Sequence, residues 1–342
     1  MRCTETNIRG FGVEIGNVTS ARAGKGGDTA TSAGSPCAPS VAVSAQSGAS
    51  MAVAAARQAL ESSYGSHDRT SQVGLHLHSS MWERGDFYSV ACSMHRQLNL
   101  PAGMVAEINA MSNSMGLALE LAASVLQSRD DVGDALVTAG EQFAEPRFPR
   151  LTADFGVVYG DAGAALVLSR APGIARVRSV ATVADTSLEG LNRRTVRDPV
   201  DGVAPLDLRS RKRSWFASHG GPEVVVQRSV RAVRRVVGQA LADAGIGLLD
   251  ARWVLLPFFG EKIMREQYLD PLQIPRSRTL VDLGLRFGHL GAADNVVALH
   301  HLWSNKMVGL GDSVVLVSSG VGMTWTAAVL EFTRDPISSS SA

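Results

Sequence analysis

MVAEINAMSNSMGLALELAASVLQS, residues 104–128, is the stretch on which the fold turns. Met104–Ile108 is a short apolar run that reads as a strand, and Ser114–Ser128 carries small and apolar residues at helical spacing. Ser114, Met115, Leu117, Ala118, Leu121, Ala122 and Val125 mark the expected buried face of that helix. Ser112 and Asn113 stand where strand hands over to helix. A hydroxyl there meets unpaired backbone N–H groups and the positive end of the helix dipole. That suits a nucleophile, because attack creates an oxyanion that needs donors close by. The position equally suits an N-cap, and the local pattern alone leaves both readings open.

Upstream, Asn7–Ile15 reads as a strand broken by Gly10 and Gly12. Ala21–Ser50, rich in Gly, Ser, Thr, Ala and Pro, reads as a long loop. Met51–Ser63 is an expected helix and Gln72–Ser79 a strand. Residues 81–98, with Trp82, Phe87, Tyr88 and Met94 among charges, suggest a helix that lines something. Downstream come the strand Asp134–Ala139 and the run VVYGDAGAALVLS, whose glycines flank Asp161. Its GDAG lacks the lysine and spacing of a phosphate loop, so tight strand packing is the expectation.

The second half opens with a strand, Ala175–Val183. Residues 186–222 look polar and irregular and contain the basic cluster Arg209, Arg211, Lys212, Arg213. A helix is expected over Glu223–Ala244 and a strand over Trp253–Pro257. A helical stretch to about Leu272 and a strand near Thr279–Asp282 follow. RFGHLGAADN is a glycine-rich turn; after it come a helix to Trp303 and two strands joined by SSGVGMTW.

This order repeats. A helix precedes VGLHLHS and another precedes GDALVTAGE; a helix precedes RWVLLPFF and another precedes GDSVVLVSSG. The repeat implies a duplicated α/β core with halves at 1–172 and 173–342. Alternating strands and helices favour mostly parallel pairing. Ser112 and His289 hold matching posts, each just before the second helix of its half. A pseudo-twofold axis would bring those two helix starts together.

Composition narrows the class. The 342 residues hold 33 Lys and Arg against 32 Asp and Glu, a net charge of +1, so no global field argues for nucleic acid or membrane binding. No apolar run approaches the ~18 residues of a membrane span, and the first residues lack a signal peptide's apolar core. Cys3, Cys37 and Cys92 match no metal or disulfide spacing, which makes a reducing cytoplasm the expected home. Cys92 reads as packing rather than as a nucleophile.

His289 lies in GHLGAAD, with Asp294 five residues on. An Asp beside a histidine holds one ring N–H and stabilises the imidazolium, leaving the other nitrogen to take a serine's proton. Serine needs such a base. A turn histidine and a helix-capping Asp would also account for the pair. Of the other seven histidines, His76 and His78 alternate in a strand, His300 and His301 adjoin in a helix, and His67, His95 and His219 sit in polar settings. No metal-ligand set stands out.

Four motifs, in order along the chain, carry a resemblance to thiolase-fold ketoacyl-ACP synthase III. EINAMSNSMGLAL stands where that family has its nucleophilic cysteine; VVYGDAGAALVLS is similar to its YGDGAGA-type strand; GHLGAAD resembles its GNTSAAS turn, and SSGVGMTWTAAVLEF its GGGxTWG stretch. The resemblance implies an αβαβα five-layer fold with pseudo-twofold related halves. Where condensing members use Cys, His and Asn, this chain has Ser112, Phe258 and His289. Without the His/Asn pair, decarboxylative condensation is not expected.

The new set resembles the non-condensing acyltransferases of aromatic polyketide pathways, whose serine members in anthracycline biosynthesis select a short starter such as propionyl. The resemblance implies an acyl-CoA substrate, a Ser112 ester, an oxyanion hole from the backbone N–H groups of Ser112 and Val321, and the phosphopantetheine thiol of an acyl carrier protein as acceptor. No metal or bound cofactor is implied. It also implies a homodimer, with Phe258 lining the substrate tunnel and residues 81–98, Trp82 and Phe87 among them, lining it across the dimer interface. The carrier is acidic, so Arg209, Arg211, Lys212 and Arg213, with Arg231 and Arg235 one turn apart on a helix, are candidates for docking it. Transfer to a sugar or alcohol hydroxyl, or a non-catalytic role in starter fidelity, are the alternatives.

Overall fold

Helix and strand alternate because the apolar period alternates between about 3.6 and 2 along the chain. A computed structural model describes residues 1–21, 38–65, 72–82, 87–194 and 205–336. The elements run β1 (Asn7–Ile15), β2 (Asn17–Ser20), β3 (Ser40–Val43), α1 (Gly48–Tyr64), β4 (Val73–Ser79), α2 (Val90–Gln97), β5 (Met104–Ile108), α3 (Ser114–Ser128), β6 (Asp134–Glu141) and β7 (Ala162–Ser169). Then come β8 (Ala175–Ala184), α4 (Leu208–Ser218), α5 (Pro222–Ala244), β9 (Ala251–Leu255), α6 (Glu261–Met264), α7 (Asp270–Leu272), α8 (Val281–Phe287), α9 (Asp294–Ser304), β10 (Ser313–Gly320) and β11 (Thr324–Phe332).

Nine strands form one sheet in the order β5-β4-β6-β7-β1-β8-β11-β10-β9. The pairing repeats about the β1–β8 contact: β4 and β6 are parallel as β9 and β10 are, and β6–β7–β1 are antiparallel as β10–β11–β8 are. The expected mostly parallel sheet is therefore corrected to a mixed one. Its cause is local: SSGVGMTW is a tight hairpin between β10 and β11, and a short turn cannot join parallel neighbours. Among the described residues the parallel edge strand β5 has no counterpart beyond β9, since the strand expected near Thr279–Asp282 is instead a 3-10 turn, Arg276–Arg278, followed by α8.

The helices sit between and outside these strands. α1 lies so close to the sheet that a Cβ on Gly163 would fall 2.2 Å from the Met51 backbone. GDAG is thus strand packing, as expected. Asp161 anchors it, accepting from Ser44 N and Phe143 N and pairing with the buried Arg150. α3 packs on β4 and β6 and also on β8 and β11, while α9 packs on β1 and β7 as well as β9 and β10. Both helices feed one core: Met115, Ala118, Leu119, Ala122, Ala123 and Leu126 from α3 join Val296, Val297, Ala298, Leu299 and Leu302 from α9. The buried face of α3 is rotated from the expected one. Leu121 is 40% exposed, and Leu117 and Val125 are only half-buried.

Other boundaries shift. Among the described residues of 81–98 the helix is α2, and the described part of the polar 186–222 segment holds a 3-10 turn, Thr186–Asn192, and α4 with the basic cluster on it. Much of the loop expected over Ala21–Ser50, with Cys37, and His67 lie outside the described residues. No helix among the described residues is long and apolar enough to cross a membrane.

Candidate active site

The turn into α3 is held by Ser114, whose Oγ accepts from Ala110 N at 2.7 Å and donates to the Met111 carbonyl at 2.6 Å. Met111 takes a left-handed backbone, φ 55°, unusual for a residue with a side chain and characteristic of turns under functional constraint. The cap of α3 is Asn113, not Ser112, and it makes no side-chain cap bond. Its amide reaches across instead, donating to Thr324 Oγ1 at 3.1 Å and accepting from Ser318 Oγ. The β10–β11 hairpin is thereby pinned to this turn. It comes so near that a Cβ on Gly320 would stand 2.0 Å from the Ala110 carbonyl oxygen. The capping reading of Ser112 is set aside by this geometry.

Ser112 is 7% exposed, and its Oγ lies 2.8 Å from His289 Nε2. His289 is held at its backbone, donating from N to Val158 O at 2.7 Å and accepting at O from Gly160 N at 2.9 Å. The rings of Tyr159 and Phe259 flank its imidazole at 5.6 and 4.9 Å. On the far side, His289 Nδ1 meets Asp294 Oδ2 at 2.6 Å. Asp294 is buried, yet its carboxylate is fully engaged: Oδ2 also accepts from Phe258 N at 2.8 Å, and Oδ1 from Leu290 N at 2.7 Å. Three donors converging on one carboxylate fix its orientation. The chain Oγ···Nε2, Nδ1···Oδ2 is an arrangement able to move a proton off the serine while the carboxylate steadies the imidazolium.

Sequence reasoning missed a second acid. Glu141 ends β6 fully buried and accepts from Met81 N at 2.8 Å, Trp82 N at 3.2 Å and Ala292 N at 3.4 Å. It ties the loop bearing Met81, whose sulfur is 3.1 Å from Ser112 Oγ, to the turn bearing His289. A lone acid closing an apolar strand was the available signal.

Two cavities meet at Ser112 and His289. The inner one, about 30 Å³, is walled by Met115, Leu119, Leu166, Val296 and Leu316. The outer one, about 110 Å³, is lined by Met81, Tyr159, Phe259, Val321 and Met323 together with the polar Asp154, Asn192, Lys212, Ser229 and Gln267. Val321 thus borders the same space as Ser112. Within this one chain, Phe258, Trp82 and Phe87 lie outside it. Phe258 packs in the core against Gly284 and offers only its backbone N–H, because the strand exit turns Phe259 toward His289. Trp82 packs on Phe148 under the Arg147 guanidinium, and Phe87 is exposed on the surface.

The basic cluster also divides. Lys212 is 15% exposed and ion-pairs with Asp154 in the cavity wall, so it belongs to the cavity rather than to an outer docking face. Arg209 donates to Asp154 O and, with Arg213, lies over Phe155; Arg211 donates to Asn192 O. Arg231 and Arg235 are exposed on α5.

A family model for the 3-oxoacyl-[acyl-carrier-protein] synthase III C-terminal region matches residues 241–332. The β-ketoacyl-[acyl-carrier-protein] synthase III of Aquifex aeolicus is 24% identical over 284 residues, 82% of this chain and 83% of that one. Among solved structures, the acyltransferase ChlB3 superposes with a TM-score of 0.86 at 28% identity, covering 97% of this chain and 99% of its own. The Aquifex aeolicus synthase superposes at 0.73 and 21% identity, covering 96% and 100%, and OleA of Xanthomonas campestris at 0.74 and 15%, covering 97% and 99%. These likenesses span both ends of the fold: the chain is an enzyme with the mixed α/β thiolase-like fold of these structures, and it is similar to ketoacyl-ACP synthase III proteins and to the acyltransferase ChlB3.

Proposed function

We propose that this protein is a non-condensing acyltransferase that takes a short acyl group from acyl-CoA onto Ser112 and passes it to an acyl carrier protein, priming a type II polyketide synthase. The hydrogen-bonded line from Ser112 Oγ through His289 to Asp294 carries this reading. His289 Nε2 takes the Oγ proton as Oγ attacks the thioester carbonyl. The oxyanion faces the backbone N–H groups of Ser112 and Val321. The C–S bond breaks, and coenzyme A leaves as the thiol with the proton from His289. In the second half-reaction His289 removes the proton of the carrier's phosphopantetheine thiol. Its sulfur attacks the ester, and Ser112 Oγ leaves and recovers the proton. No metal or bound cofactor enters these steps.

Several observations support the rest of the reading. Phe258 turns a ring away from the site where condensing relatives would need a histidine. ChlB3, at 28% identity, is an acyltransferase by name. The repeated strand pairing supports a division into halves at 1–172 and 173–342. Exposed Met104 on the edge strand β5, with exposed Tyr88 and Leu121, offers a face for a homodimer. Exposed Arg213, Arg231 and Arg235 suit an acidic carrier. The protein acts in the cytoplasm, where acyl-CoA is supplied.

The test is intact-mass analysis after incubation with a panel of short acyl-CoAs. One acyl adduct should form on the parent protein and none on Ser112→Ala. An equal adduct on the variant would remove Ser112 from the mechanism.

A further inference from the structure

Two buried polar groups in the outer cavity have no role in the proton path. Ser229, on α5, is 1% exposed, and its Oγ has no hydrogen-bond partner among the described residues. A helical serine commonly bonds back to a carbonyl one turn earlier, and this one does not. The side-chain oxygen of Asn192 is likewise buried and without a partner among the described residues. Both line the same space as Ser112 and His289, and Lys212, which spends one of its three donors on Asp154, lines it too. Folding leaves such groups unpaired only at a cost, and a site that keeps them is shaped to be completed by its ligand.

We propose that the acyl group carried on Ser112 bears a hydroxyl, so that the substrate class is short hydroxyacyl thioesters rather than plain alkanoyl ones. This rests on Ser112 being the acylated residue. The ligand O–H donates to the Asn192 amide oxygen, and the ligand oxygen accepts from Ser229 Oγ. Size points the same way. A cavity of about 110 Å³ has room for roughly three to four water-sized groups, enough for a three-carbon acyl chain with one hydroxyl.

The experiment measures single-turnover acylation by intact mass with propionyl-CoA, 2-hydroxypropionyl-CoA and 3-hydroxypropionyl-CoA. At least one hydroxyacyl-CoA should react about tenfold or more faster than propionyl-CoA, because a site with polar groups awaiting a hydroxyl discriminates against the analogue that lacks it. That ratio should fall about tenfold in Ser229→Ala and in Asn192→Leu. Equal wild-type rates for all three thioesters would overturn the inference while leaving Ser112 acylation intact. A variant that slows all three alike, with the ratio preserved, would also overturn it and assign the two groups to the pantetheine arm or to packing. Acylation by none of the three would remove the Ser112 reading and the inference with it.

Discussion

Ser112 Oγ and His289 Nε2 stand 2.8 Å apart although 177 residues separate them in the chain. One side chain precedes α3 and the other precedes α9, and each helix packs on strands of both ends of the sheet. Neither residue has a hydroxyl–imidazole partner nearby in sequence. Their meeting depends on how the repeated strand pairing folds over itself, and the measurable consequences follow from that meeting.

Loss of the base and loss of its orienting acid should be separable. His289→Ala should suppress Ser112 acylation severely, since the serine then keeps its proton near neutral pH. Asp294→Asn should slow acylation by ~10²–10⁴-fold. It should also lower the melting temperature, because one amide oxygen cannot receive His289 Nδ1, Phe258 N and Leu290 N together. In the parent protein the acylation rate should rise with pH through a single ionisation. Single-turnover kinetics beside thermal melts decide the matter. Parental rates in a well-folded His289→Ala protein would leave the histidine as a turn residue.

Carbon–carbon bond formation should be absent. Only the backbone N–H of Phe258 reaches the site, and it is committed to Asp294. Purified protein supplied with propionyl-CoA and malonyl-ACP should yield no 3-oxopentanoyl-ACP and no decarboxylation above background. Detection of that product by mass spectrometry would show that the chain condenses by another route.

Arg231 and Arg235 form an exposed pair one turn apart on α5. If they receive an acidic carrier, the double substitution Arg231→Glu/Arg235→Glu should slow acyl transfer from pre-acylated protein to the carrier by about tenfold at low salt. The deficit should shrink at high ionic strength, where exposed charges are screened. Transfer rates that match the parent at low salt would move the docking face elsewhere.

Stability should depend on two buried histidines far from Ser112 in role. His76 Nε2 and His78 Nδ1 share the Thr138 hydroxyl at 3.1 and 3.0 Å. Burial pushes His76 down to about 3, with His78 and His95 nearby adding to the effect. Burial also pushes His78 down to about 4, opposed by Glu107. The unfolded chain therefore binds protons first as pH falls. The stabilisation from neutral histidines is complete above about pH 6.5 and is lost on acidification toward pH 4, with a limiting slope of about 1.4 kcal/mol per pH unit for each histidine. Thermal melts from pH 7.5 to pH 4.5 should show a shallower decline in His76→Gln/His78→Gln, whatever its absolute stability. An identical decline in both proteins would assign the acid sensitivity to other groups.

Much of this is legible in the sequence. The bounds of β1 and β5, the start of α3 and the candidate trio of Ser112, His289 and Asp294 all follow from period, turn residues and the repeated order of elements. The strand expected near Thr279–Asp282 was not, because TLVDLGLRF places apolar residues at spacings that satisfy both a strand and a short helix. Packing chose the helix, burying Val281, Leu283 and Gly284. Phe258 misled for a related reason. Phe258 and Phe259 are adjacent, and which of two neighbouring rings faces the site depends on the direction in which the chain leaves β9.

What the sequence determined by itself was local: where apolar faces lie along each element, where turns interrupt them, and that two matching posts precede two matching helices. Those features depend on backbone sterics and side-chain period within a few residues of one another. Only the tertiary structure decided that Asn113 rather than Ser112 caps α3, that Phe259 and not Phe258 flanks His289, that Lys212 lies in the cavity wall, and that Glu141 joins the Met81 and His289 loops. Each of those outcomes is a contact between residues distant in the chain. Such contacts are set by which helices and strands the close-packed core brings together, and no local pattern encodes that direction.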